Sequence, residues 1–274
     1  GSNPISDFIP VSRITDMLLN PNSPYNFNGE KRIYPDIKLV YWCGGNPFHH
    51  HQDLNRLAKA WQNPETVIVH EPWWTATAQR ADIVFPATTQ FERSDIGWAK
   101  GDPYLFYMPQ MIPPVGLAKN DYDIFSELSK KLNCEEKFTE NQSSEEWIQN
   151  IYEKFYMQAK SQGIDVADLD TLKEKNFERM TIDLDEKDYV PFKAFRDDPV
   201  KNPLGTPSGK IEIYSEQIAK FNYPEIPGHP IFNRPYSDVK FPLSLISPQP
   251  HDKLHSQLQS AIEDINKYAV LVMS

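Results

Sequence analysis

Residues 41–52 read YWCGGNPFHHHQ: an apolar run, two glycines, an asparagine, a proline, three consecutive histidines and a glutamine. Two chemistries answer to those residue types. A glycine turn between a strand and a helix lets backbone N–H groups approach a phosphate, where the helix N-terminus favours negative charge. Gly44 and Gly45 can take the positive φ such a turn needs, and Asn46 can cap the helix or donate a hydrogen bond. Glu71 stands 26 residues past Gly45, near the place where doubly wound nucleotide folds set a carboxylate on a ribose hydroxyl. GGN is nonetheless not GxGxxG, and a tight turn that only joins strand to helix uses the same residues. The second chemistry is metal binding. His49, His50 and His51 are adjacent and cannot all point one way, and no cysteine or second histidine cluster stands at the spacing of a zinc site. A neutral imidazole and the Gln52 amide suit hydrogen bonds to a polar ring or a phosphate, or else face water at a helix start.

Such residues need a sheet behind them. LVYWC (39–43) reads as a buried strand, and Leu54, Leu57, Ala58 and Trp61 mark one face of a following helix. TVIVHE (66–71) is a second strand, TATAQRA (75–81) a short helix, and DIVFPA (82–87) a third strand stopped by Pro86. The alternation implies α/β class: a Rossmann-like, mostly parallel sheet with flanking helices, whose ligands lie at the carboxyl ends of the strands. Ile124, Leu128 and Leu132 continue one helix, and Ile148, Ile151 and Phe155 another. The second is acid-rich, so residues 134–190 read as a solvated outer layer. Prolines gather in 103–114 and 223–250, which read as loop-rich connections. KIEIY (210–214) and PLSLIS (242–247) read as later strands, with a domain boundary near 238 that divides 1–237 from 238–274.

Composition bounds the partners. A chain of 274 residues, 39% hydrophobic and 12% aromatic, can bury one large or two modest cores. No window approaches the roughly 18 apolar residues of a membrane helix, so membrane insertion is not expected. A formal charge of −10 argues against a nucleic-acid or anionic-membrane surface and leaves room for a local anion pocket. The two cysteines make no disulfide framework, and Cys43, inside an apolar run, reads as a buried, inert thiol. The N-terminal GSN resembles the remnant of a cleaved tag, no signal segment follows it, and the compartment stays open.

The strings YWCGGNPFHHHQDLNRL, VIVHEPWWTATAQRADIVFPATTQFERSDI and NDYDIF, followed by TPSGKIEIYSE and SPQPHDKLHSQL, resemble molybdopterin oxidoreductases of the dimethyl sulfoxide reductase family. The resemblance is closest to the branch that reduces trimethylamine N-oxide, dimethyl sulfoxide or biotin sulfoxide, and it covers nearly the whole chain. It implies an internal fragment of a larger enzyme: the later part of the α/β domain that binds a molybdopterin guanine dinucleotide, plus the first strand of a following β-barrel domain. It also implies a cofactor, molybdenum held by two such dinucleotides (bis-MGD), and partners outside this stretch: the missing segments of the same enzyme, an N-oxide or S-oxide substrate and an electron donor. No residue here matches the serine that ligates molybdenum in that branch, so no catalytic residue and no metal ligand is expected in this chain. A fragment of this kind is expected to be inactive by itself. A non-catalytic guanine-nucleotide-binding module, or a structural fragment, is the alternative. Related enzymes occur in periplasm and cytoplasm, the periplasm being favoured for the parent.

Carried over by residue, Gly44, Gly45 and Asn46 are similar to the family's dinucleotide loop, with His50 and Gln52 beside it, and Glu71 would hold a ribose hydroxyl. Asp121 or Asp123 resembles the acid that reads guanine, a carboxylate's two acceptor oxygens matching the adjacent N1–H and 2-amino donors. Asn120 or Asp121 can instead cap the helix. Thr75 and Thr88 are further cofactor contacts or plain caps, while Trp73 and Trp74 read as core or interface residues. In SPQPHDKLHSQL, His255, Ser256 and Gln257 match the family's strip toward the second pterin. Gln249 replaces a common histidine and Lys253 an arginine, which leaves substrate identity and one cofactor contact open.

Overall fold

The computed structural model describes residues 7–99, 102–180 and 190–232, and the backbone of 244–246 and 271–273. The chain divides into two compact units. One comprises Gly1–Val40, Gly45–Thr66 and Tyr189–Ser274, the other Tyr41–Gly44 and Val67–Asp188.

In the first unit, helix α1 (Ile14–Leu19) packs on α3 (Leu54–Ala60), with the short α2 (Pro47–His50) ahead of the latter. The amide of Asn63 donates to the Leu18 carbonyl at 2.7 Å, and Asp16 pairs with both Arg13 and Arg56. Phe48 meets Trp61 edge to face beneath α2. Strands β1 (Pro24–Phe27) and β2 (Glu30–Ile33) form an antiparallel hairpin. Its turn is Asn28-Gly29, both at positive φ, the pairing that two-residue hairpin turns require. Helices α8 (Lys193–Asp197) and α9 (Glu216–Ala219) are short and expose their faces. KIEIY forms no strand: Ile211 and Ile213 are 76% and 79% exposed, and no described strand runs beside them. A β-rich pattern without a partner has nowhere to place its backbone hydrogen bonds except water. PLSLIS contains β9 (Ser244–Ile246), paired antiparallel with β10 (Leu271–Met273); the boundary expected near 238 lies outside the described residues.

The second unit carries the site. Strands β3 (Leu39–Cys43), β4 (Thr66–His70) and β5 (Ile83–Phe85) form a sheet in that order, β4 and β5 being parallel, so the strand–helix–strand alternation is realised as an α/β sheet. The Asp82 carboxylate accepts from the Val67 amide at 2.7 Å and pins β5 to β4 at their starts. A single 3-10 turn, Ala78–Arg80, replaces the expected helix between them.

A second sheet was not legible. Strands β6 (Asp95–Trp98), β7 (Tyr104–Met108) and β8 (Phe177–Arg179) are antiparallel, and β7 lies inside the stretch that its prolines mark as loop. Pro103 and Pro109 flank the strand rather than interrupt it, so neither removes a ladder donor. Helices α4 (Asp121–Lys131), α5 (Glu135–Thr139), α6 (Ser144–Ser161) and α7 (Leu169–Lys175) follow.

Residues 134–190 are not peripheral as far as they are described. Leu105 of β7, Ile148, Tyr152 and Ala159 of α6, Val166, Leu169 and Leu172 of α7, and Met180 form one buried cluster. The acidic residues of α6 occupy its outer side, while Ile148, Tyr152, Phe155 and Ala159 recur at the three- and four-residue spacing of an inner face. Each fully buried side chain there contributes about 1.5–3 kcal/mol. Ser143 and Glu146 form a capping box at the start of α6, and Asp168 caps α7. Among the described residues no helix is long and apolar enough to cross a membrane.

Candidate functional site

At the carboxyl end of β5 the chain passes through Pro86 to Ala87, which bridges Lys119 in parallel, and the Thr88 amide donates to the Lys119 carbonyl at 3.0 Å. That bridge delivers the chain directly into α4. Asn120 is its N-cap, accepting from the Asp123 amide at 2.8 Å, so the capping contest between Asn120 and Asp121 is decided for asparagine. The fixed start of α4 places Asp123 in the wall of a cavity of about 260 Å³, lined also by Thr88, Arg93, Ser94, Gln110 and Asn120. A larger hollow of about 420 Å³ beside Lys175, Phe177, Glu178 and Arg179 gathers none of the predicted site residues.

Two features of the smaller cavity stand out chemically. Thr88 is 7% exposed, and its hydroxyl has no hydrogen-bonding partner among the described residues. A buried hydroxyl left so costs about 1–3 kcal/mol. Asp123 presents a carboxylate, and burial, then the neighbouring Glu127 charge, push its carboxyl above the usual range against the opposing pull of Lys119.

The rim is held by Glu92. In the 3-10 turn Gln90–Glu92 its carboxylate accepts from the Thr89 amide and hydroxyl and from the Val115 amide, each at 2.7 Å. Those bonds hold the Glu92 carboxyl below its ordinary value and fasten the loop after β7 against the turn. On the far side, Trp147 of α6 donates to the Tyr122 hydroxyl and to the Thr139 carbonyl, both at 3.2 Å, which ties α4 to the start of α6.

The other predicted residues fall as follows. Asp121 does not line the cavity; its carboxylate lies 2.7 Å from Nδ1 of His70. Glu71 follows β4 and accepts from the Thr75 hydroxyl at 3.2 Å, and burial, the largest influence, raises its carboxyl against that bond and one from the Trp73 backbone. Thr75 is buried, and its hydroxyl also accepts from the Ala78 amide, so it is a local cap as well. Gly44 ends the second unit's first segment at φ 76°, with open space where a Cβ would stand.

Gly45 (φ 74°), Asn46, His50 and Gln52 belong to the first unit. Asn46 is fully buried and precedes α2 without a side-chain capping bond; His50 and Gln52 are exposed. His51 is held below its ordinary value by burial first and the His50 charge second. Gln249, His255, Ser256 and Gln257 lie outside the described residues.

Two readings are corrected. Cys43 is exposed, because β3 ends there and the chain turns at Gly44; its thiol is nevertheless pushed up, by desolvation first and the Asp121 charge second. Trp73 and Trp74 are 59% and 74% exposed, so neither is a core residue here. Sequence reasoning missed Arg93, Ser94 and Gln110 in the cavity wall, and His70 behind α4. FERSD offered a signal for the first two, an acid followed directly by arginine and serine.

These observations define a class: an α/β domain with a polar, acid-lined cavity where its parallel strands run into a helix N-terminus. Comparison with known proteins narrows it. Residues 19–131 match the sequence model of the molybdopterin oxidoreductase family. The chain is 45% identical over 265 residues to biotin sulfoxide reductase of Cereibacter sphaeroides, covering 95% of this chain and 35% of that protein. It is 45% identical over 259 residues to trimethylamine-N-oxide reductase of Haemophilus influenzae, covering 91% and 31%. A third relative, the dimethyl sulfoxide/trimethylamine N-oxide reductase of Rhodobacter capsulatus, is 41% identical over 262 residues, covering 93% and 32%. Among solved structures, acetylene hydratase from Pelobacter acetylenicus aligns over 74% of this chain and 24% of its own, with TM-score 0.48 and 22% identity. Residues 19–131 thus carry the sequence signature of the molybdopterin oxidoreductases, and the chain spans about a third of the length of the curated relatives it matches.

Proposed function

We propose that this chain is part of a molybdenum-dependent N-oxide or S-oxide reductase, in which it binds the guanosine part of one dinucleotide of a bis-MGD cofactor. The observation that carries the reading is the cavity lined by both Asp123 and Thr88, whose hydroxyl is unpartnered among the described residues. The donor set fits the group. Guanine presents N1–H and the 2-amino group side by side, and a carboxylate offers two acceptors at matching separation, while a threonine hydroxyl both donates and accepts.

In this reading Asp123 takes the guanine edge, Thr88 supplies a further polar contact, Glu71 takes a ribose hydroxyl, and the backbone at Gly44 approaches phosphate. The bound cofactor supplies the two-electron oxygen-atom transfer at molybdenum; the chain's share is binding, orientation and exclusion of water. The strip of Gln249, His255, Ser256 and Gln257 would add contacts toward the second pterin, substrate, electron donor and further cofactor contacts would come from other parts of the parent enzyme, and β9 would open the following barrel domain. The names of the relatives support the reductase class.

The test is calorimetric titration of the 274-residue chain with GDP, with ADP as control. Saturable binding that prefers guanine, weakened about tenfold or more in Asp123→Asn, is expected, since the amide replaces one of two charge-assisted acceptors with a donor. Absence of binding at millimolar GDP to a folded chain overturns the reading.

A further inference from the structure

His70 ends β4 with its side chain 1% exposed. Both ring nitrogens are engaged: Nδ1 lies 2.7 Å from Oδ1 of Asp121, and Nε2 lies 2.8 Å from the Tyr41 hydroxyl of β3. An ionised carboxylate can only accept, so Nδ1–H donates to Asp121, while Nε2 and the Tyr41 hydroxyl share the second bond, its direction set by the ring's tautomer. The ring stacks on Phe125 at 4.9 Å and meets Phe85 of β5 nearly edge-on at 5.5 Å. One side chain of the sheet therefore grips α4 twice, by a charge-assisted bond at Asp121 in its first turn and by ring contact at Phe125 one turn on. Asp123 stands between the two grips.

We propose that His70 is a positioning residue for guanine selectivity: it fixes the first turn of α4 so that the Asp123 carboxylate meets both guanine donors at once. The inference rests on the guanosine reading above. A two-pronged match to adjacent donors tolerates displacement of only about 0.5 Å, so the helix start has to be held from outside itself. The Ala87–Lys119 bridge holds the chain only up to the residue before the Asn120 cap and touches nothing within the first turn itself. His70 belongs to the sheet.

The experiment compares GDP with IDP, which lacks the 2-amino group, on the 274-residue chain carrying wild-type His70, His70→Phe or His70→Asn, alongside thermal unfolding of each. Phenylalanine keeps the ring packing and removes the bond to Asp121. Asparagine keeps a donor near the Nδ1 position. Wild type is expected to prefer GDP over IDP about tenfold or more. His70→Phe brings that ratio close to one while still unfolding cooperatively, and His70→Asn retains most of it. If His70→Phe lowers the melting temperature but leaves the GDP:IDP ratio intact, the role is merely structural and the inference falls, with the guanosine reading standing. If wild type binds neither nucleotide, both fall.

Discussion

Replacing Glu92 by glutamine tests whether one carboxylate holds the cavity rim. The substitution preserves shape and removes charge, but three donors converge on the site: the Thr89 amide, the Thr89 hydroxyl and the Val115 amide, all at 2.7 Å. Glutamine offers one acceptor oxygen and brings two donors of its own. At least one backbone amide, partly open to solvent, then loses its acceptor, and the remaining bonds lose their charge assistance. A cost of about 1–2 kcal/mol follows from the worth of bonds to charged groups, the released amide being partly open to water. Urea unfolding at pH 7 should show it as a lower midpoint with unchanged slope. The acid dependence supplies a second check. Because the Glu92 carboxyl is held below its ordinary value of 4.5, the stability it adds is fully present above that pH and is lost as pH falls through the lower, folded value. The gap between wild type and Glu92→Gln should therefore close in acid. A gap that is absent at pH 7, or one that persists undiminished below the folded value, refutes the staple.

The affinity of GDP should carry the signature of Asp123. Its carboxyl is pushed up in the folded chain, and it accepts from both guanine donors at once only when ionised, so binding should weaken on acidification at a higher pH than for an ordinary aspartate; titrations from pH 7 downward check this, with Asp123→Asn insensitive over the same range. Tyr152→Phe should destabilise the second unit by about 1–3 kcal/mol, because its hydroxyl donates to the Ala167 carbonyl at 2.8 Å inside the core. Burial pushes the Tyr152 phenol from 10 up to about 12, so wild type should lose stability, relative to this variant, as pH rises between those values, which urea unfolding at pH 9 and pH 11 resolves.

Local pattern by itself determined the α/β order of β3, β4 and β5. Apolar β-branched runs broken by Pro86 and Gly44 have no other compact reading, and the starts of α4 and α6 are written in their polar first residues. The resemblance to the molybdopterin oxidoreductases was legible for a related reason: long ordered strings such as HEPWWTATAQRADIVFPATT carry more constraint than any composition. What the sequence left open were matters of partnership. Asp121 and Asp123 are equivalent in local spacing, and only the buried ring of His70 on another strand separates them, engaging the first and leaving the second to the cavity. The acid-rich 134–190 stretch reads as solvated because its charges outnumber its apolar residues. Tertiary packing buries the minority face of α6 against α7 and the β7 strand, and a core needs only one face of each helix. KIEIY failed in the opposite direction: it has the pattern of a strand, but a strand exists only where a neighbour completes its hydrogen bonds, and that is decided by the fold rather than by the segment.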